Sequence, residues 1–214
     1  MKLEWIGHAC FRLTAQDGTV VITDPYDESV GIAMFPLEAD LITISHEHHD
    51  HNETGMIAGR PMIVHGTQTA QAGSVTARAV GSWHDDAQGR KRGPNAIRIF
   101  DIDGLKVVHM GDQGCMPDEN VLAAIADADV MMIPVGGTYT VDAQGARTIV
   151  ESAKPGCVIP MHVKTKHCPY PIAQVQPFLA AMGAENAQGV REASFVREDQ
   201  PKGVLLMQPL ADEL

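Results

Sequence analysis

Residues Ser45 to Asn52 read S-H-E-H-H-D-H-N and hold four of the chain's ten histidines. They follow Leu41–Ile44, an apolar run with the length and composition of a buried strand. Within the cluster, His46, His48, Asp50 and His51 spell H-x-H-x-D-H. On an extended segment, residues two apart point to the same side, so His46 and His48 can approach one ion together. Once the chain turns, Asp50 and His51 can approach a second ion close by. His49 breaks the pattern and is expected to face away. Imidazole and carboxylate suit zinc, and also manganese or iron.

One cluster does not complete two metal sites, so other strand ends must supply donors. His84 stands in G-S-W-H-D-D after the run Thr76–Val80. Asp112 stands in H-M-G-D-Q-G directly after another apolar run, and His162 in V-I-P-M-H-V-K-T after a third. A sheet that aims several strand ends at one crevice can assemble such a site.

These residues carry a resemblance. The order Asp24 in T-D-P, H-x-H-x-D-H at 46–51, His84, Asp112 in G-D, then His162 resembles the metallo-β-lactamase superfamily, from residue 7 to about residue 166. Within it, G-H-A-C-F, H-D-D-x-x-G-x-x-R-G-P-N, G-D-Q-G and I-P-M-H-V-K-T resemble the small stand-alone hydrolases near the ascorbate-6-phosphate lactonase group. The resemblance implies an α/β four-layer αββα sandwich, two mixed sheets flanked by helices, with the metals at one edge. It implies that His46, His48 and His84 hold a first ion and Asp50, His51 and His162 a second. Asp112 would bridge both, and Asp24 would brace the histidine loop without binding metal. The cofactors are then two divalent ions, zinc first, with manganese or iron(II) as alternatives. One departure is Cys115, where relatives of this group often carry a histidine after G-D-x-G; packing is favoured over a place beside the metals.

A water between two such ions loses a proton near neutral pH, and the hydroxide attacks a carbonyl or phosphoryl centre. Asp50 can orient that hydroxide or take up a proton. His8, in G-H-A-C-F, is either a second catalytic candidate at the pocket or a partly buried strand histidine. His65, His109 and His167 match no ligand position. Arg92, Lys164 and Lys166 flank His84 and His162, and they are the candidates for holding an anionic group. The expected activity is hydrolysis of a small ester, lactone or phosphodiester, with an anionic substrate. The alternative is a non-catalytic metal-binding or redox-sensing protein on the same fold, with Cys115 as the redox group.

The remaining sequence bounds the partners. With 16 basic and 27 acidic residues the net charge is −11, a field that repels nucleic acid and anionic membranes. Glu4 and His8 interrupt the first apolar stretch, so no signal peptide is read and the cytoplasm is the expected location. No apolar run has membrane-spanning length, and the four cysteines form no C-x-x-C pair. A small molecule is the expected partner; self-association into a homo-oligomer is left open.

The elements that must position these residues follow from apolar periodicity. Strands are expected over Val20–Thr23, Leu41–Ile44, Met62–Val64, Ala96–Ile102, Lys106–Met110, Val130–Val135, Cys157–Met161 and Gly203–Met207. Helices are expected over Pro117–Ala128, Asp142–Ala153 and Ile172–Met182. No linker divides the sequence, so one domain over 1–214 is expected. V-V-I-T-D-P followed by A-D-L-I-T-I-S is echoed by V-V-H-M-G-D-Q followed by A-D-V-M-M-I-P, a weak sign of two matched sheets.

Overall fold

The computed structural model describes residues 1–211. The first part of the chain is strand: β1 (Lys2–Gly7), β2 (Cys10–Thr14), β3 (Val20–Thr23), β4 (Leu37–Glu38), β5 (Leu41–Ile44), β6 (Ile57–Ala58) and β7 (Met62–His65). Next come β8 (Ala70–Ala72), β9 (Val75–Trp83), β10 (Pro94–Ile102) and β11 (Leu105–His109). The second half alternates α1 (Glu119–Ile125), β12 (Val130–Pro134), α2 (Ala143–Ala153), β13 (Cys157–Met161), α3 (Gln176–Met182), β14 (Glu192–Ser194) and β15 (Gly203–Val204).

Two large sheets result, with strand orders β14-β1-β2-β3-β5-β7 and β15-β13-β12-β11-β10-β9-β8, and β4 pairs with β6 apart from them. The pairing directions explain the site. β2 runs antiparallel to both β1 and β3, and β3 is parallel to β5, so β1, β3 and β5 all point the same way. In the second sheet β10 is antiparallel to β9 and β11, and β11, β12 and β13 are parallel. The strands that precede every candidate donor therefore end at one edge of their own sheet. The backbone N–H of Ala96 donates to the Ser45 carbonyl at 3.0 Å, which ties the two sheets together at that edge.

The sequence echo has a structural counterpart. β3 and β5 form a parallel pair with Asp24 after the first strand, and β11 and β12 form a parallel pair with Asp112 beyond the first. Period-two alternation places Leu3, Trp5, Val21 and Leu41 in the main core. Their neighbours Ile6, Ile22 and Ile42 enter a smaller core on the other face. There the cover comes mostly from loops around a 3₁₀ turn at Glu28–Val30, with Tyr26, Ile32 and Met34 packed inward. The helices α1, α2 and α3 bury Ile125, Ile149 and Phe178 in the main core. This is the αββα sandwich, with a thin outer layer on the first sheet.

Two expected helices are shorter than the periodicity suggests. Pro177 lacks an N–H and is tolerated only in a first turn, so α3 begins at Gln176 rather than at Ile172. Asp118 caps α1 by accepting from Val121 N, and Ala126 is already extended, so Pro117 and Ala128 fall outside. Asp142 caps α2 as expected, accepting from Gln144 N and Gly145 N. The last expected strand pairs only at Gly203–Val204, with a single further bridge between Met207 and Val190.

Candidate metal centre

Six strand ends deliver the site. His8 follows β1, Asp24 follows β3, the Ser45–His51 turn follows β5, His84 follows β9, Asp112 lies beyond β11, and His162 follows β13. Three of these residues hold left-handed backbone without being glycine: His8 at φ 52°, Asp24 at φ 37° and His162 at φ 53°. Such conformations are costly for ordinary side chains and gather where a site demands them. Gly111 takes φ 54° between β11 and Asp112, and a Cβ there would collide with Asn95 Oδ1 and Ser45.

Among the described residues the donors form three groups, one of them the buried Asp24, His46 and His51, and two that together hold the expected ligands other than Asp112. His46, His48 and His84 bring ligand atoms within 4.8 Å of one another, with His48 exposed and the other two buried. His8, Asp50, His51 and His162 do the same, with all but the half-buried Asp50 buried. Asp112 sits between the groups. Its Oδ2 is 3.1 Å from His84 Nε2 and 3.2 Å from His162 Nε2, while its Oδ1 is 3.3 Å from His51 Nε2. His46 Nε2 is 4.0 Å from the same Oδ2.

Asp24 fixes the histidine turn through hydrogen bonds. Its Oδ1 accepts from Ser45 N at 2.8 Å. Its Oδ2 accepts from Ser45 Oγ at 2.6 Å and from His51 Nδ1 at 3.0 Å. Because the Ser45 hydroxyl donates to Asp24, its oxygen is left to accept from His46 Nδ1 at 2.9 Å. Both imidazoles thus carry their proton on Nδ1 and present the Nε2 lone pair to the interior.

Those interior atoms lack hydrogen-bond partners. His46 Nε2, His51 Nε2 and Asp112 Oδ1 are buried and unpaired, as are both ring nitrogens of His8 and the Nδ1 atoms of His84 and His162. Buried polar atoms without partners are rare, and the inward-facing Nε2 atoms of His46 and His51 with Asp112 Oδ1 form a donor set that fits divalent cations. The titration pattern agrees. Burial would push the Asp112 carboxyl up, but His162 and His51 outweigh it and hold the group well below the usual range. Burial would lower His51, yet Asp112 and Asp24 raise it well above 6.5. Burial, with a further push from His162, drives His8 down to about 4, and burial and His51 depress His46. The raised His51 means that a cation at the cluster would compete with a proton for its Nε2.

The remaining sequence candidates are dispersed. His8 Nε2 lies 3.3 Å from Asp50 Oδ2, inside the second group. Arg92 lines the cavity over the cluster, its Nη2 donating to the Thr138 carbonyl at 3.3 Å and its guanidinium 5.3 Å from the Tyr139 ring. Lys164 Nζ donates to the Tyr170 carbonyl at 2.7 Å, and Lys166 is exposed; neither lines that cavity. His49 is exposed, with Nδ1 3.2 Å from Asp27 Oδ1, and lines the same cavity as Arg92. His65 meets Glu47 at the surface, and the buried His109 contacts the Ala9 carbonyl through Nε2 at 2.7 Å. Cys115 Sγ lies 3.4 Å from Gln113 Nε2, and Cys115 lines a different cavity beside Trp83 and Met116.

Four residues that shape the site were given no role from the sequence. Asn95 Oδ1 accepts from Asp112 N at 3.0 Å while its Nδ2 donates to the Met110 carbonyl at 2.9 Å, so it fixes the Asp112 turn. Asp85 accepts from the N–H groups of Ala87, Gly89, Lys91 and Arg92, which folds the loop carrying Arg92. Burial alone would raise that carboxyl, but the four donors outweigh it and bring it to about 2. Tyr139 and Tyr170 meet edge to face over the cavity, and the Tyr170 hydroxyl is 2.8 Å from Ser29 Oγ. The R-G-P-N and H-D-D motifs contained the first two; nothing local marked the tyrosines.

Comparison with known proteins adds the relatives. Residues 2–162 match the family model of the beta-lactamase superfamily domain. A metal-dependent hydrolase of Archaeoglobus fulgidus is 29% identical over 208 residues, covering 83% of this chain and 87% of its own. One from Methanoculleus marisnigri is 30% identical over 188 residues, covering 77% and 82%. The crystal structure of a protein from Thermotoga maritima, described as a Zn-dependent hydrolase of the metallo-β-lactamase superfamily, superposes with a TM-score of 0.79. It is 28% identical and covers 96% of this chain and 97% of its own.

Proposed function

The chain belongs to the beta-lactamase superfamily and is a metal-dependent hydrolase, and from that premise we propose that it works with two divalent ions on a small, anionic ester, lactone or phosphodiester. The observation that carries the two-ion reading is the position of Asp112. Its Oδ2 lies between the groups, 3.1 Å from His84 Nε2 of one and 3.2 Å from His162 Nε2 of the other, while its Oδ1 is 3.3 Å from His51 Nε2 of the second group and His46 is further off. Zinc is the first choice of metal, on the imidazole-rich donor set and on the description of the Thermotoga relative.

His46, His48 and His84 would hold one ion, and Asp50, His51 and His162 the other. Asp112 would serve both. Ions held there supply Lewis acidity toward a substrate oxygen and acidify water near neutral pH. The other roles fall to side chains. Asp24 keeps His51 and, through Ser45, His46 in the tautomer that offers Nε2. Asp50 Oδ2, 3.3 Å from His8 Nε2, would take up and release the proton of the attacking water. His8 would position that carboxylate. Arg92 is the cation best placed for an anionic substrate group, because it lines the cavity of about 290 Å³ over both donor groups. Tyr139 and Tyr170 narrow the same cavity and exclude bulk water.

Among the described residues, no helix is long and apolar enough to cross a membrane. The non-catalytic alternative draws no support from Cys115, whose sulfur faces Gln113 and Ser82. The test is a panel of esters, lactones and phosphodiesters on metal-loaded protein, with chelated protein as control. Hydrolysis of one class that is lost on chelation and restored by zinc or manganese is expected. Hydrolysis that persists in the chelated protein would overturn the proposal.

A further inference from the structure

A second cavity, open to solvent on one side, adjoins the first and holds about 400 Å³. The two share His48 and Arg92, so the second begins where the exposed donor of the first group ends. Gly66, Thr67, Gly81, Pro94 and Ala96 supply its apolar wall. Most polar side chains along it already have partners elsewhere. Ser45 Oγ donates to Asp24, Asn95 bonds Met110 and Asp112, and Glu47 Oε1 meets His65 Nδ1 at 2.8 Å. What these residues offer the cavity is therefore mainly hydrocarbon, with one cation at the boundary.

The wall is also held rigidly. Arg98 is 1% exposed, and its guanidinium donates to the Gly66 carbonyl at 2.7 Å and to the Gln68 carbonyl at 2.5 Å. A buried guanidinium is an expensive anchor for a loop of no catalytic use. Its effect is to fix Thr67, between the two bonded carbonyls, opposite Gly81: a Cβ added at Gly81 would lie 3.6 Å from Thr67 Cγ2. Gly81 pairs with Ala96 across β9 and β10, so two of the smallest residues stand together where a larger pair would fill the space.

We infer that this cavity is the apolar subsite of the enzyme. It takes an uncharged alkyl or aryl group attached to one side of the scissile bond, while Arg92 at the boundary holds the anionic group. This rests on the hydrolase reading above for the position of the scissile bond. The volume suffices, because a dry cavity of about 150 Å³ already takes up benzene. The substrate is thus amphiphilic, not a small polar metabolite.

Two measurements test it. The uncharged dye phenylnaphthylamine is titrated into the metal-loaded protein, and its fluorescence is compared in Gly81→Leu and in Thr67→Leu. Gly81 has no left-handed backbone to strain, and Thr67 is on an exposed loop, so the two variants fill the cavity from opposite walls. Saturable binding in the wild type, weakened at least about tenfold in each variant, is expected. No binding, or equal binding in all three proteins, would overturn the subsite. The second measurement uses two ester series, one lengthened on the acyl side and one on the alcohol side. Along one of them, kcat/KM should rise about two- to fourfold per methylene, and both variants should flatten the rise. Flat profiles in both series would overturn the subsite while leaving the hydrolase intact. If no ester is cleaved, the ester form of the reaction assigned above fails, and the dye alone decides whether the cavity binds apolar groups.

Discussion

The two donor groups differ in depth and in charge. His46, His48 and His84 are three imidazoles, one of them exposed, and they border the apolar cavity. His8, Asp50, His51 and His162 include a carboxylate and are nearly enclosed. A group with an anionic donor and little water access should hold its ion more tightly; a neutral, open group should exchange its ion and meet the substrate first. On the two-ion proposal, one edge of one sandwich would offer a retaining site and a presenting site, with Asp112 coupling them.

The largest expected effect comes from removing that coupling. Asp112→Ala takes the shared carboxylate from both groups, so metal content should fall at both and kcat/KM by at least about a thousandfold. Retention of the enclosed ion at wild-type affinity would separate the groups and remove Asp112 as the bridge. A smaller effect is expected for Asp24→Asn. Asp24 bonds His51 directly but reaches His46 only through Ser45. Metal affinity should drop about 10- to 100-fold at the enclosed group and less at the open one, read by competition with a chromogenic chelator. Equal losses would contradict the direct and indirect arrangement.

Arg92→Ala touches the open side alone. KM for an anionic substrate should rise by roughly tenfold, in line with one charge-assisted hydrogen bond, while a neutral analogue and the metal content stay as they were. A like change for both substrates would return Arg92 to the surface. The smallest effect concerns Asp85, whose four backbone bonds fold the loop from His84 to Arg92. Burial opposes its ionisation, the N–H donors favour it, and its folded value of about 2 lies below the ordinary 3.8. Its contribution to stability is therefore complete above about pH 4 and lost as pH falls toward 2. Urea unfolding of wild type and Asp85→Asn should show a gap at pH 6 that closes across that window; a gap independent of pH would exclude the carboxylate charge as its cause.

What the sequence made legible and what it hid differ for a physical reason. The ligand candidates sit in short motifs at the ends of apolar runs, so motif spacing and strand-end position, with the family resemblance, brought out His46, His48, Asp50, His51, His84, Asp112 and His162. Strands buried on both faces, such as Leu41–Ile44 and Cys157–Met161, were equally plain because their runs are continuous. The long cover of the first sheet was not, since Tyr26 to Met34 packs inward without helical or strand period. Asn95, Asp85, Arg98 and Tyr170 were also hidden. Each acts through a partner distant in space or through a turn whose hydrogen bonds no period announces. Lys164 shows the converse: its neighbourhood to His162 suggested the pocket, while its ammonium is spent on the Tyr170 carbonyl.

Elemental analysis of metal-loaded protein, run beside His84→Ala and His162→Ala, tests the two-ion centre most directly. Two ions per chain are expected in the wild type and about one in each variant. In His84→Ala the remaining ion should resist dialysis against a weak chelator. In His162→Ala the remaining ion should be the one that dialyses away. A single ion per chain in fully loaded wild type, or two in both variants, would contradict the centre built on Asp112.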